Sequence, residues 1–194
     1  MRKNAIILLH EIYGRNTFIE VVCQNYRDRG FDVFCPSLID RQPFHYDEAH
    51  KAYEYFMKTG GFTRSQAISA MVTHLKESYE KVILIGFSVG ATIAWKCCEN
   101  TACDAIVGCY GSRIRDDMQM SPNCPTLLLF SQEDSFDVNI VVDQLQEKVN
   151  LEIHIFSTKH GFMDRYSPNY DRRYAQDAED LMLRFLSEAC HKDI

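Results

Sequence analysis

Short runs of apolar, often β-branched residues recur along this chain, and between them apolar positions repeat at helical spacing. The runs Ala5 to His10, Asp32 to Cys35, Lys81 to Gly86, Ala105 to Tyr110, Thr126 to Phe130 and Leu151 to Phe156 predict strands. Strands that alternate with helices from one end to the other predict a mostly parallel sheet of about six strands with helices on both faces, an α/β architecture. After the first strand, Phe18, Val22 and Tyr26 share one helical face; Thr17-Phe18-Ile19-Glu20 reads as a capping box and Gly30 as the stop. Residues 47–80 read as helix broken at Gly60-Gly61. In the last helix Tyr174, Ala178, Leu181 and Phe185 form the apolar stripe.

At 194 residues and 46% hydrophobic content the chain can bury one sizeable core but hardly two, and nothing in its middle resembles a linker. A single domain over residues 1–194 is expected. The net charge of −6, with no basic stripe, argues against nucleic acid or an anionic membrane surface as a partner. The basic start at Arg2-Lys3 is followed by an apolar stretch too short for a signal-peptide core, so Ala5 to Leu9 reads as a core strand and the expected location is the cytoplasm. Eight cysteines fall mostly within apolar elements, which favours reduced, buried thiols. No C-x-x-C pair exists, so no metal and no cofactor is expected, and no oligomeric state is indicated.

One motif carries more chemistry than any other. Gly86-Phe87-Ser88-Val89-Gly90 stands directly behind the strand Lys81 to Ile85 and directly ahead of a helical run starting at Ala91. This is the pattern of a nucleophile elbow, in which a serine sits on a strained strand-to-helix turn and flanking glycines remove side chains that would strike neighbouring backbone. At a helix start, free N–H groups favour a developing negative charge.

A serine hydroxyl needs a base, and a histidine held by a carboxylate is the usual supply. Chain order should run serine, acid, histidine. His160 follows the last predicted strand in Ser157-Thr158-Lys159-His160-Gly161-Phe162, at the sheet rim that bears Ser88. His154 lies inside a strand pattern and His191 in the terminal tail. Among Glu133, Asp134 and Asp137, Asp134 is the expected acid, because Asp137 suits the N-cap of the helix carrying Val141, Val142 and Leu145. Oxyanion donors are expected from the backbone N–H groups of Val89 and of Ile12 in the loop His10-Glu11-Ile12-Tyr13-Gly14.

Over nearly its whole length the chain resembles the dienelactone hydrolase family of α/β-hydrolases. The stretches that carry the resemblance are Leu9 to Gly14, Cys35 to Arg41, the elbow, Cys109-Tyr110-Gly111, Cys124-Pro125-Thr126 with Asp134 beyond, and His160-Gly161-Phe162. The resemblance implies a compact, capless fold that hydrolyses small esters or lactones, with Glu11 near the nucleophile and rim arginines holding a substrate carboxylate. Arg41 matches the first rim arginine, while Arg165 is offset by one residue from the second; Arg113 and Arg115 are further candidates. Substrate contacts are expected from Glu11, Tyr13, Arg41, Phe87 and Tyr110. The family proper carries cysteine in the elbow, whereas this chain has Ser88, which shifts the expectation from dienelactones towards a general carboxylesterase. A thioesterase, peptidase or acyltransferase would use the same residues, and a non-catalytic binding module remains the reading from another class.

Overall fold

The computed structural model describes residues 3–190. Six strands, β1 (Ala5–Leu9), β2 (Asp32–Phe34), β3 (Val82–Phe87), β4 (Ala105–Cys109), β5 (Thr126–Glu133) and β6 (Leu151–Lys159), form one sheet in the order β2-β1-β3-β4-β5-β6. Every neighbouring pair is parallel. The helices are α1 (Thr17–Asp28), α2 (Ala49–Lys58), α3 (Ser65–Lys76), α4 (Val89–Trp95), α5 (Val138–Leu145) and α6 (Arg172–Cys190).

Side chains alternate across a strand, so each buried strand serves two cores. Ile6 and Leu8 of β1, with Ile83 and Ile85 of β3, pack against Phe18, Ile19 and Cys23 of α1 and Ala178, Met182 and Phe185 of α6. On the opposite face Ala5, Ile7, Leu9, Val82 and Leu84 meet Phe56 of α2, Ile68 and Val72 of α3, Ile93 of α4 and Val141 of α5. Seven of the eight cysteines are buried and Cys35 is partly so.

Several boundaries differ from the sequence expectation. Asn16, not Thr17, caps α1, its side chain accepting the Ile19 N–H at 3.1 Å. An asparagine carbonyl reaches that first-turn donor as well as a hydroxyl does, and Thr17 becomes the first helical residue. The region 47–80 is helical with its break at Gly60-Gly61, as expected, where a 3₁₀ turn over Gly61–Arg64 joins α2 to α3. In α6 the buried stripe is Ala175, Ala178, Met182, Phe185 and Leu186, rotated so that Tyr174 and Leu181 lie at its half-buried edge. Asp137 does cap α5, accepting the Asn139 N–H at 3.0 Å.

The largest difference is at the carboxyl ends of β5 and β6. The polar stretches Ser131 to Glu133 and Ser157 to Lys159 read as loop, yet they stay paired out to Glu133 opposite Lys159, across a register shift between Ser131 and Glu133. The ladder supplies the backbone partners that polar side chains do not forbid. Its consequence is positional, since Asp134 and His160 each follow a paired strand residue rather than a wandering loop. No helix among the described residues is long and apolar enough to cross a membrane.

Candidate active site

Chain direction reverses its lateral progress at β1: the connection after β1 leads outward to β2, whereas β3 lies on the other side of β1 and leads on to β4. Such a switch point opens a crevice at the carboxyl ends of the strands. Ile12 follows β1 and Ser88 follows β3, so both stand at its mouth.

Ser88 has φ 54° and ψ −115°, a left-handed backbone that costs about 1–3 kcal/mol in a non-glycine residue and that the surroundings must over-determine. Both flanking glycines are required by contact. A Cβ on Gly86 would lie 2.3 Å from the Gly90 carbonyl oxygen, and one on Gly90 would lie 2.3 Å from that of Leu9. The turn is therefore pressed against β1 and against its own helix. The Ser88 N–H donates to the Cys109 carbonyl at 2.9 Å, tying the elbow to β4.

From this strained position Ser88 Oγ lies 2.9 Å from His160 Nε2. His160 Nδ1 lies 2.7 Å from Asp134 Oδ2. A carboxylate only accepts, so Nδ1 carries the proton and Nε2 is left to accept from the serine hydroxyl. Asp134, whose side chain is 3% exposed, also accepts from the Ser135 N–H at 2.6 Å and from the Ser131 hydroxyl at 3.3 Å. Burial alone would raise its pKa, but the hydrogen bonds from His160 and Ser135 hold it below the usual carboxylate value. Burial likewise opposes charge on His160, and the Asp134 hydrogen bond and charge, with a contribution from Glu11, outweigh it and raise the imidazole above its ordinary value. Asn169 donates from its side chain to the His160 carbonyl at 2.9 Å and steadies the loop.

These groups open on a cleft of about 750 Å³ lined by Ile12, Ser88, Val89, Asp134 and His160, together with His50 and Tyr53 from α2, Arg113 and Arg115 after β4, and Lys159 at the end of β6. The N–H groups of Ile12 and Val89 donate to no other group among the described residues and remain available.

The five residues expected to touch substrate are placed differently. Arg41 does not line the cleft: its guanidinium lies 3.7 Å from the centre of the Phe44 ring and near Tyr55, where cation–π stacking on an exposed shelf satisfies it. Phe87 is 1% exposed and packs edge-on against Phe18 in the core under α1, because it is the last residue of β3 and points to the face opposite the cleft. Tyr110 is fully buried, with its ring 5.1 Å from that of His160, and so backs the imidazole. Tyr13 stacks edge-on with Tyr46 at 4.9 Å. Glu11 is buried beneath the site rather than lining it. Arg165 is exposed and acts electrostatically on Glu179 of α6. His154 bonds Glu152 on β6 at 2.6 Å, and His191 lies outside the described residues.

Sequence reasoning missed Asp164, which is fully buried next to Arg165, accepts from the Tyr46 hydroxyl, and lies close enough to raise the Glu11 pKa. No local pattern marks it, since its partners come from residues 11 and 46. Glu11 is pushed up to about 7, first by burial and then by Asp164, with His160 and Tyr110 pulling the other way. An unfolded glutamate loses its proton near 4.5 and the folded one only near 7, so between these values the native state holds more protons and stability falls as pH rises. Glu11→Gln should therefore raise unfolding free energy above pH 7 by as much as about 3 kcal/mol and leave it unchanged below pH 4.5, as read by urea unfolding across that range.

The sequence pattern of the dienelactone hydrolase family matches residues 1–190. The chain is 38% identical over 174 residues to YczH, an uncharacterised protein of Bacillus subtilis (strain 168), covering 88% of this chain and 86% of that one. It is 24% identical over 200 residues to a carboxymethylenebutenolidase of Pseudomonas putida, covering 94% of this chain and 85% of the other. Its fold matches that of P91, a solved dienelactone hydrolase-like promiscuous phosphotriesterase from metagenomic libraries, with a TM-score of 0.73 at 19% identity, over 97% of this chain and 87% of that one. The chain thus belongs to the dienelactone hydrolase family, and is a carboxylic ester hydrolase built on a six-stranded α/β-hydrolase sheet.

Proposed function

We propose that the protein is a serine hydrolase that cleaves small carboxylic esters or lactones through an acyl-enzyme on Ser88. The observation that carries this reading is the unbroken chain from Ser88 Oγ through His160 to Asp134, with links of 2.9 and 2.7 Å, opening on the cleft. Ser88 Oγ attacks the ester carbonyl while His160 Nε2 takes its proton, and Asp134 stabilises the imidazolium without accepting that proton. The carbonyl electrons move onto oxygen, where the N–H groups of Val89 and Ile12 receive them. Collapse of the tetrahedral intermediate expels the alcohol, which takes the proton from His160. Water then attacks the acyl-enzyme with His160 again as base, releasing the acid and restoring Ser88.

The test is stoichiometric labelling with a fluorophosphonate, followed by peptide mapping. One label per chain on Ser88, lost in Ser88→Ala, is the expected result; a folded wild type that takes no label would turn the reading towards a binding module.

Arg113, Arg115 and Lys159 line the cleft together with Glu133 and Asp134, and the two arginines after β4 favour substrates carrying a carboxylate apart from the scissile ester. Because Arg113 shares its charge with Asp116 at 2.6 Å, its expected worth is modest. Arg113→Ala should raise KM for a hemisuccinate ester about tenfold, equivalent to about 1.4 kcal/mol, and leave that of a neutral isostere unchanged in steady-state assays. Equal KM changes for both esters would remove the carboxylate from the substrate description.

A further inference from the structure

Directly behind the loop that carries Ile12, a buried ring makes two hydrogen bonds that the reaction above does not use. His10, the residue after β1, has no exposed surface. The Leu38 N–H donates to its Nε2 at 2.8 Å. A backbone amide can only donate, so Nε2 is bare and the ring proton sits on Nδ1, which donates to the Glu11 carbonyl at 2.6 Å. That carbonyl also accepts the Gly14 N–H at 3.1 Å.

The carbonyl of Glu11 and the N–H of Ile12 belong to one peptide plane and point in opposite directions. Two donors that fix the oxygen on one side therefore fix the direction of the N–H on the other. Ile12 lines the cleft with Ser88 and Val89, and its N–H donates to no group among the described residues. At its far end the clamp is anchored in packed structure, because Leu38 and Ile39, 1% and 0% exposed, belong to the core beneath α2 and α3.

We infer that His10 is a positioning residue for the oxyanion hole: it holds the Glu11–Ile12 peptide between the segment after β2 and the elbow, so that the Ile12 N–H faces the reacting carbonyl oxygen. The role rests on the proposed attack by Ser88 and donation by Ile12. It requires a neutral ring, since a proton on Nε2 would face the Leu38 N–H. Burial, with smaller contributions from Arg15 and Arg64, lowers its pKa to about 4, and the hydrogen bond to Glu11 only partly offsets this. His10 is thus uncharged wherever His160 works as a base.

Two amide replacements separate the two bonds. An asparagine amide can stand at the place of Nδ1 and keep the donor to Glu11, whereas a glutamine amide reaches the place of Nε2 and keeps only the acceptor for Leu38. The experiment measures kcat and KM for a neutral p-nitrophenyl ester, the affinity of a trifluoromethyl ketone that forms a hemiketal oxyanion on Ser88, and thermal unfolding. His10→Ala should lower kcat by about ten- to a hundredfold with KM within about twofold, and weaken the ketone by the same factor. His10→Asn should recover most of both losses, and His10→Gln should not, even where it unfolds at the wild-type temperature. Unchanged kcat and ketone affinity in a folded His10→Ala, or recovery by Gln and not by Asn, would overturn the inference. If His10→Ala does not fold, the Asn and Gln pair decides alone. A wild type that forms no hemiketal would instead condemn the nucleophile assignment, a result distinct from any pattern among the variants.

Discussion

Replacing His160 by alanine should lower kcat for ester hydrolysis by about 10⁴- to 10⁶-fold while leaving KM near its wild-type value. The size follows from what the imidazole does. A serine hydroxyl is scarcely ionised in neutral water, and among the described residues His160 is the base that bonds Ser88 Oγ. Glu11 is a buried carboxyl close enough to act on His160, but it lies beneath the cleft wall and holds its own proton up to about pH 7. The loss should appear in kcat because the proton moves only as the transition state forms, and the His160 side chain offers the substrate little binding surface of its own.

A pH profile supplies a second reading of the same residue. The base must be neutral, and His160 is held above its ordinary value of 6.5, so wild-type kcat/KM should fall as pH drops through a point above 6.5. That limb should disappear in the alanine variant. Calorimetry should report an intact fold, because the ring is 34% exposed and its deletion leaves Asp134 with the Ser135 amide and the Ser131 hydroxyl as partners. An alanine variant within tenfold of wild type would mean that the serine finds another base, and the triad assignment would fall.

Gly90→Ala is expected to be, with Gly86→Ala, among the most disruptive single-methyl substitutions at the described glycines. Its Cβ would lie 2.3 Å from the Leu9 carbonyl oxygen, 2.6 Å from the Leu9 carbonyl carbon and 2.8 Å from the His10 carbonyl oxygen. All three are backbone atoms of β1 and the residue after it, and β1 is paired on both sides in the sheet, so no side chain can swing aside to make room. Relief requires α4 to lift off β1, which opens the elbow and pulls Ser88 away from His160. The expected cost exceeds about 3 kcal/mol of stability, above the usual range for one added methyl, because overpacking here acts against backbone on both sides. Urea unfolding should show a much lower midpoint at an unchanged slope, and whatever folded protein remains should label slowly with fluorophosphonate. Wild-type stability in this variant would mean that the helix and β1 are not in hard contact, and the account of the strained serine would lose its cause.

The two glycines explain why the elbow was readable in five residues. Gly86 is demanded by Gly90 and Ala91 of the same turn and helix, whereas Gly90 is demanded by Leu9 and His10 at the end of β1, so a five-residue mark records both a local and a tertiary contact. The expected order of serine, acid and histidine was readable for a related reason, since parallel strands deliver successive loops to one rim. The substrate side was less legible. Arg41 stands where a rim arginine is expected, but three residues later Phe44 offers its ring, and the guanidinium stacks there instead. Phe87 sits inside the elbow motif, yet strand alternation turns it into the core under α1. Arg113 and Arg115 were candidates only through their place after the strand ending at Tyr110, and they line the cleft where the 3₁₀ turn after β4 packs against α4.

The chain's own order of residues determined the parallel sheet with its two cores and marked the strained turn at Ser88, because alternation and apolar runs act between neighbours along the backbone and the paired glycines sign the turn that needs them. Tertiary structure alone decided which charges face the cleft and which are buried beneath it. Glu11, Tyr46 and Asp164 come together from three distant segments, and His10 finds the Leu38 amide 28 positions away. The direction of a loop side chain and the proton affinity of a buried carboxyl depend on what the rest of the fold brings against them, and no short stretch of sequence contains that information.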